Sequence, residues 1–221
     1  MKRLLLGTAL AAVGFATAAH ANLLVNGNFS ASTSETATPP GWTQLGPSDG
    51  VISDSLFGTP AYNGYTSYYD LGGFGDVYGA IGDGIEQTVA TTPGLSYALT
   101  FGLASENAPA SPQGTTTLTV SVGGAPTSYV LAVNTSYGEL AEPWTTESID
   151  FVASSASTLV SFVETVNNDA GNNDPIIAGV DLVASGTTSV PEVSTWAMMG
   201  LGFAGLAFAS YRSRKAVSLT A

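Results

Sequence analysis

T-T-T-L-T-V-S-V, residues 115–122, alternates hydroxyl and apolar side chains. Leu118, Val120 and Val122 fall on one side of an extended chain, because successive side chains of a strand point to opposite faces. The segment therefore predicts a β-strand in an antiparallel sheet with one buried face and one face in water. A second sheet is needed to cover the apolar face.

The same composition recurs between residues 22 and 189. Runs rich in Val, Thr, Leu, Tyr and Phe are separated by clusters of Gly, Pro, Asn and Ser, and no long segment has a 3.6-residue period. The predicted strands are residues 23–29, 85–90, 97–104, 115–122, 128–133, 145–152, 158–166 and 176–183. Eight strands predict an all-β domain over residues 22–189, a two-sheet antiparallel β-sandwich or jelly roll.

Two turn sequences fit this interpretation. T-T-P-G at 91–94 combines the fixed φ of Pro93 with the positive φ open to Gly94, and Gly123-Gly124 offers the same freedom further on. We expect both turns to close hairpins.

Charge is unevenly distributed along the chain. The cations and the single histidine are confined to the two ends: Lys2, Arg3, His20, Arg212, Arg214 and Lys215. Residues 22–189 contain no Lys, Arg, His or Cys but hold all the acids except Glu192. Such a body has no cation with which to bind nucleic acid, and it lacks the residues for Ser-His-Asp, Cys-His, Schiff-base or imidazole-zinc sites. Carboxylate chemistry and calcium binding remain.

The N-terminus has the pattern of a signal peptide. Two basic residues precede an apolar segment over residues 4–18, and Ala19-His20-Ala21 has the small-x-small form that signal peptidase accepts. We expect residues 1–21 to be removed before Asn22.

The C-terminus has the pattern of a membrane anchor. Residues 193–211 carry no charge, and as a helix they would reach roughly 28 Å, close to the thickness of a bilayer core. Trp196 and Tyr211 lie near its two ends, and a basic cluster follows at residues 212–215. This predicts a transmembrane helix with the preceding domain outside.

Residues 190–215 join three parts in order: V-P-E-V-S-T-W-A-M-M, the rest of the apolar helix, and R-S-R-K. This order resembles the sorting tail of PEP-CTERM proteins. The resemblance implies an exosortase, a membrane transpeptidase, as partner, with Pro191 and Glu192 as the core of the motif. Val193 stands where the family usually has a second Pro. The domain would be held transiently at the inner membrane and then reach the cell surface or medium, leaving 216–221 as a cytoplasmic end.

The body also resembles a known group. It contains N-L-L-V-N-G-N-F at 22–29, I-E-Q-T-V-A-T-T-P-G-L-S-Y-A-L-T-F at 85–101 and D-P-I-I-A-G-V-D-L-V at 174–183. This order is similar to galactose-binding-like jelly-roll domains found upstream of PEP-CTERM tails. The resemblance implies binding of carbohydrate or a cell-surface polymer more often than catalysis.

Aromatic residues are the candidate ligand contacts. Tyr65, Tyr68 and Tyr69 lie in a Gly-rich segment, and Trp144 is a further candidate. Sandwiches that bind sugars use aromatic rings as stacking platforms and a few polar groups for the hydroxyls. The alternative is that these rings fill the core and the strand ends.

Calcium is the candidate cofactor. Asp181 matches the late position at which the resembling domains supply a ligand to structural Ca²⁺, although Ser30 stands where they have an early acid. Asp174 ends an Asn- and Asp-rich segment at 167–174, whose oxygens suit Ca²⁺. The alternative for that segment is an Asx-rich turn that caps strands.

Hydrolysis of glycosides needs a facing pair of carboxylates. The available glutamates are Glu86, Glu106, Glu139, Glu142, Glu147 and Glu164, and the sequence does not place any two together. The prediction is therefore an exported, acidic, noncatalytic protein that associates with extracellular polysaccharide or the cell surface. The alternatives are a hydrolase using a Glu/Asp pair and a structural matrix protein with no defined ligand.

Overall fold

The computed structural model describes residues 21–32, 37–46, 50–53, 60–72, 81–105, 114–132, 142–167, 174–185, 198–206 and 208. Its strands are β1 (Thr43–Leu45), β2 (Gly50–Ser53), β3 (Ser67–Asp70), β4 (Gly84–Ala90), β5 (Ser96–Ser105), β6 (Thr115–Val122), β7 (Ala125–Ala132), β8 (Glu142–Val152), β9 (Ser157–Asn167) and β10 (Pro175–Ala184). Sheet 1 has the order β1-β4-β9-β6-β7 and sheet 2 the order β2-β3-β10-β5-β8. All the pairings are antiparallel, so the predicted two-sheet sandwich is confirmed.

Strand β6 has the predicted polarity. Leu118, Val120 and Val122 are buried between the sheets. On the opposite face, the Thr119 hydroxyl lies 3.1 Å from that of Ser128 and 2.8 Å from that of Thr165. The hydroxyl side chains therefore bond to one another across the outer face of sheet 1.

The two predicted turns behave differently. Gly123 and Gly124 have φ of 60° and 88°, and they close the hairpin between β6 and β7 as expected. Residues 91–94 do form a turn, with Leu95 N donating to Thr92 O at 3.1 Å. The hairpin prediction for it is wrong, because β4 belongs to sheet 1 and β5 to sheet 2. This turn instead carries the chain from one layer to the other.

The predicted strand at 23–29 is also wrong. This segment forms bends and turns, with φ of 53° at Asn26 and 57° at Phe29. The reason is local: Asn side chains bind nearby backbone, as in the 3.0 Å bond from Leu24 N to Asn22 Oδ1. Leu24 and Phe29 still reach the core.

Apolar residues form two clusters. The larger lies between the sheets and contains ring contacts such as Phe101–Phe162, with centroids 5.2 Å apart, and Phe29–Trp42, at 5.9 Å. The smaller cluster contains Tyr62, Tyr68, Ala104, Ile176 and Ala178, with Tyr65 and Trp144 packed against it. Neighbours of these residues in sequence, such as Tyr69 and Ile177, belong to the larger cluster, so sheet 2 buries side chains on both faces.

The C-terminal unit spans Gly186–Ala221, and in it residues 198–206 and 208 are helical with exposed side chains. In the described part of the chain, no helix combines the length and apolar character needed to cross a membrane. The predicted processing residues Ala19, Pro191 and Glu192 lie outside the described residues, whereas Ala21 and Asn22 are described and exposed.

Candidate functional site

The smaller cluster on the outer face of sheet 2 forms around a tight turn. Asn63 and Gly64 have φ of 48° and 84°, the conformation of a type I′ turn, for which Asn-Gly is the favoured sequence. Tyr65 N donates to Tyr62 O at 2.8 Å, which closes the turn. The two tyrosine rings consequently lie side by side, with centroids 6.3 Å apart and planes 16° apart.

Two glycines of sheet 2 provide space for these rings. A Cβ at Gly102 would lie 2.6 Å from Tyr62 Cδ1, and a Cβ at Gly179 would lie 2.5 Å from Tyr65 Cε2. Both distances are too short for real contacts, so the rings pack directly on backbone. The Tyr62 hydroxyl lies 2.8 Å from the hydroxyl of Thr146, which fixes the orientation of its ring.

Trp144 extends the row of rings. Its centroid lies 5.5 Å from that of Tyr62, and its Nε1 donates to Pro60 O at 2.6 Å. Tyr62, Tyr65 and Trp144 together form what we call the aromatic strip. Two of its members, Tyr65 and Trp144, are ligand contacts predicted from the sequence, and both are half-buried.

Tyr68 and Tyr69 lie elsewhere. The Tyr69 ring is fully buried between the sheets, 5.7 Å from Phe29, and Tyr68 is buried beneath Trp144, at 6.3 Å. A solvent-borne sugar cannot reach either ring, so both have packing roles in this structure. Tyr62 is not among the predicted ligand contacts, and the Asn63-Gly64 turn signal could have indicated it.

A cavity of about 230 Å³ opens next to the strip. Its described lining residues are Asn22, Leu24, Asn26, Gly27, Asn28, Tyr65, Gly179, Val180 and Asp181. We call it the Asn22 pocket. It brings together Tyr65, predicted to bind ligand, and Asp181, predicted to bind metal.

The N-terminal segment forms one wall of the Asn22 pocket. Asn22 Nδ2 donates to Val180 O at 2.9 Å, and Leu182 N donates to Asn22 Oδ1 at 2.9 Å. Val180 N in turn donates to Gly27 O at 2.8 Å. Gly27 must be glycine here, because a Cβ would lie 2.0 Å from Val180 O.

Asp181 is half-buried at the pocket, and burial raises the pKa of its carboxyl above the ordinary value. No three His, Cys, Asp or Glu side chains of the described residues are grouped as a metal site. In this part of the chain, Asp181 is not grouped with two other acidic side chains.

Asp174 lies at the other end of β10. Asp174 and Asp181 are seven positions apart along extended chain, roughly 20 Å, so one ion cannot bind both. Asp174 is buried, and Asn167 Nδ2 donates to its Oδ1 at 3.3 Å. A Cβ at Gly72 would lie 1.8 Å from Asp174 Cγ, and Gly72 N donates to Asp70 Oδ1 at 3.1 Å. Two buried carboxylates and an amide therefore surround Gly72.

Three of the described glutamates, Glu86, Glu147 and Glu164, do not form an accessible pair. Glu164 is fully buried, and its Oε1 accepts a 2.5 Å bond from Thr116 Oγ1. Glu86 follows the buried Ile85 in β4 and so faces outward from sheet 1, whereas Glu147 lies on β8 of sheet 2.

Residues 80–183 match the model of a family described as a protein of unknown function, DUF642. The match covers less than half of the chain. A comparison with curated proteins finds no match.

Several solved structures are similar to this chain. They include a family 16 carbohydrate-binding module (20% identity, TM-score 0.43, covering 73% of this chain and 99% of that one). A putative sugar-binding protein from Bacteroides thetaiotaomicron has 13% identity and a TM-score of 0.47, covering 75% of this chain and 100% of that one. A xylan-binding domain from Paenibacillus barcinonensis has 14% identity and a TM-score of 0.44, covering 78% and 100%. Similarity at this level does not define a ligand for this chain.

Proposed function

We propose that this chain is an exported, noncatalytic protein that binds extracellular polysaccharide or the cell surface through the aromatic strip and the Asn22 pocket. The observation that carries the proposal is that Tyr65 belongs to both. The strip supplies apolar ring surface for the C–H face of a sugar, and the pocket supplies amide and carboxylate groups for its hydroxyls. The pocket volume, below the roughly 300–1,000 Å³ of drug-sized sites, suits one sugar unit.

Export and sorting are part of the proposal. Signal peptidase would remove residues 1–21, and exosortase would act at the tail of residues 190–215 after Pro191 and Glu192 have been recognised. The intact mass of the protein recovered outside the cells tests both steps. A mass that includes residues 1–21 would contradict leader removal, and one that includes the tail would contradict release by exosortase.

We propose a structural Ca²⁺ at Asp174, held with Asp70 and Asn167. The donor set fits, because the carboxyls of Asp174 and Asp70 supply the oxygens that Ca²⁺ prefers, and Asn167, whose Nδ2 now faces Asp174, would supply its Oδ1 after rotation of the amide. Gly72 leaves the two carboxyl groups room to approach one another. Bound calcium would neutralise buried negative charge in a body that has no internal cation. We expect millimolar Ca²⁺ to raise the melting temperature at matched ionic strength, and Asp174→Asn to abolish the rise. An equal rise with Mg²⁺ or Na⁺ would indicate screening alone.

Retention in gels that contain neutral polysaccharides tests binding. Tyr65→Ala should weaken retention at least about tenfold, or about 1.4 kcal/mol, because it removes ring surface from strip and pocket together. Tyr65→Phe keeps the ring and should retain binding, and the exposed Val130→Ala on sheet 1 is the matched control. Absence of retention on every polysaccharide would favour the structural matrix protein. Release of reducing sugar would show a hydrolase instead.

A further inference from the structure

We propose that removal of the leader gives the Asn22 pocket its cation: the new α-ammonium of Asn22 lies beside the Asp181 carboxylate, and the two groups together bind the hydroxyls of an uncharged sugar. This inference rests on the proposed cleavage before Asn22. In the unprocessed chain the same nitrogen is a neutral amide.

The position of Asn22 is fixed by its side chain. Its Nδ2 donates to the carbonyl of Val180, on one side of Asp181, and its Oδ1 accepts from the amide of Leu182, on the other side. Leu23 N also donates to Leu182 O at 2.9 Å. Asn22 is therefore held across residue 181 whether or not residues 1–21 precede it, because none of these bonds uses its own backbone nitrogen.

The ammonium matters because the Asn22 pocket has a carboxyl group, whereas the body has no other cation. Of the nine described lining residues of the pocket, Asp181 is the one that has a carboxyl side chain. Residues 22–189 contain no Lys, Arg or His. The α-ammonium would thus be the single cation of the processed body, placed where one half-buried carboxylate lacks a partner cation.

The pair determines the class of ligand. An ammonium supplies three donors and a carboxylate supplies acceptors only, so together they match hydroxyl groups, which both donate and accept. The net charge of the pair is near zero, which favours an uncharged sugar over a uronate or sulfate. A divalent cation is disfavoured, because the ammonium repels it from Asp181. The proposed calcium site is therefore at Asp174, next to the other end of β10, and not at Asp181.

The test compares two forms of the chain. One begins at Asn22 and runs to Ala221; the other carries Gly-Ser before Asn22, which moves the ammonium two residues away. The α-amine pKa is measured from the pH dependence of its acylation, read by mass spectrometry of the N-terminal peptide. Lys215 is the single lysine in these forms, and it lies in a separate peptide.

We expect the α-amine of the first form to titrate roughly one unit above the ordinary range of about 7.7–8.0, and Asp181→Asn to return it to that range. Asp150→Asn removes an exposed carboxylate on β8 and should have no effect. A second readout needs no substitution: by NMR, the Asp181 carboxyl should titrate at lower pH in the Asn22 form than in the extended form. Equal titration in the two forms would overturn the inference.

Binding separates this inference from the function on which it rests. The extended form should be retained severalfold less than the Asn22 form by a neutral polysaccharide. If neither form binds any polysaccharide but the α-amine remains shifted, the proposed function fails and the ammonium–carboxylate pair stands. If exported protein does not begin at Asn22, the inference falls with the cleavage site.

Discussion

Tyr65 packs directly on Gly179, whose missing side chain leaves the ring in contact with the backbone of β10. Gly179 has φ of 56°, so a side chain there would be strained as well as obstructed. We expect Gly179→Ala to lower the free energy of unfolding by more than the about 1–2 kcal/mol that left-handed strain alone would cost. It should also weaken polysaccharide retention. Gly124→Ala is the control for strain alone, because Gly124 has φ of 88° and open space around it. Urea denaturation measures the free energy of unfolding of both variants. Equal losses in Gly179→Ala and Gly124→Ala would mean that Tyr65 does not pack tightly on Gly179.

Trp144→Phe tests how the aromatic strip is held. The substitution keeps an aromatic ring near Tyr62 but removes the bond from Trp144 Nε1 to Pro60 O. We expect a loss of about 0.5–1.5 kcal/mol in the free energy of unfolding, the usual net value of such a bond. Polysaccharide retention should fall as well, since residues 60–65 lose one of their attachments to β8. Unchanged stability and retention would show that this bond does not position the strip.

Thr116→Val tests the buried bond to Glu164. The valine is nearly isosteric but cannot donate to Glu164 Oε1, and a bond to a carboxylate contributes about 1.5–3 kcal/mol. Chemical denaturation should show a loss of that size. Thr119→Val, on the outer face of sheet 1, removes hydroxyl bonds to Ser128 and Thr165 near solvent and should cost less. A larger loss at Thr119 would contradict this ranking.

Asp181 makes stability depend on pH. In the form extended by Gly-Ser, burial raises the pKa of this carboxyl, so the folded chain holds the proton more tightly than the unfolded chain. Between the ordinary value of 3.8 and the raised folded value, unfolding releases a proton, and the free energy of unfolding falls as pH rises. Asp181→Asn should remove this component, so the variant should gain stability relative to the parent as pH rises through the window. Parallel pH profiles would contradict the prediction.

Tyr129 on β7 and Glu147 on β8 belong to different sheets of the sandwich. Burial and, secondarily, the Glu147 carboxylate raise the pKa of the Tyr129 phenol. Glu147→Gln should therefore lower that pKa while leaving it above the ordinary value, since burial persists. Carbon NMR of labelled tyrosine follows the titration, and Asp150→Asn on the same strand is the control. An unchanged Tyr129 pKa in Glu147→Gln would show that the carboxylate does not act on the phenol.

Strands β4–β10 could be predicted from sequence, because burial between two sheets gives each strand a recognisable pattern of apolar residues. β6 matches its predicted bounds, and β4, β5 and β7–β10 match to within a few residues. β1, β2 and β3 have only three or four residues each, too few for alternation to stand out in a Gly- and Tyr-rich segment.

The errors have physical causes that a local pattern does not contain. Pro93-Gly94 specifies a turn, but which sheet the next strand joins is decided by packing over the whole core. At 23–29, Asn side chains compete for backbone that would otherwise pair in a sheet.

The candidate site was predicted only in part. Tyr65 and Asp181 were both named from the sequence, but their meeting in one pocket depends on the long-range attachment of residues 22–27 to β10. The burial of Tyr68 and Tyr69 follows from their positions on β3, a strand that was not predicted.

The attachment of Asn22 to Val180 and Leu182 brings the start of the folded body close to its last described residue, Ser185. Chain entry and exit of the body thus both lie near the C-terminal end of β10, the central strand of sheet 2. Segments joined at either terminus would hold the domain from the same side, so tension on them would pull at neighbouring points of one strand instead of stretching the body from end to end.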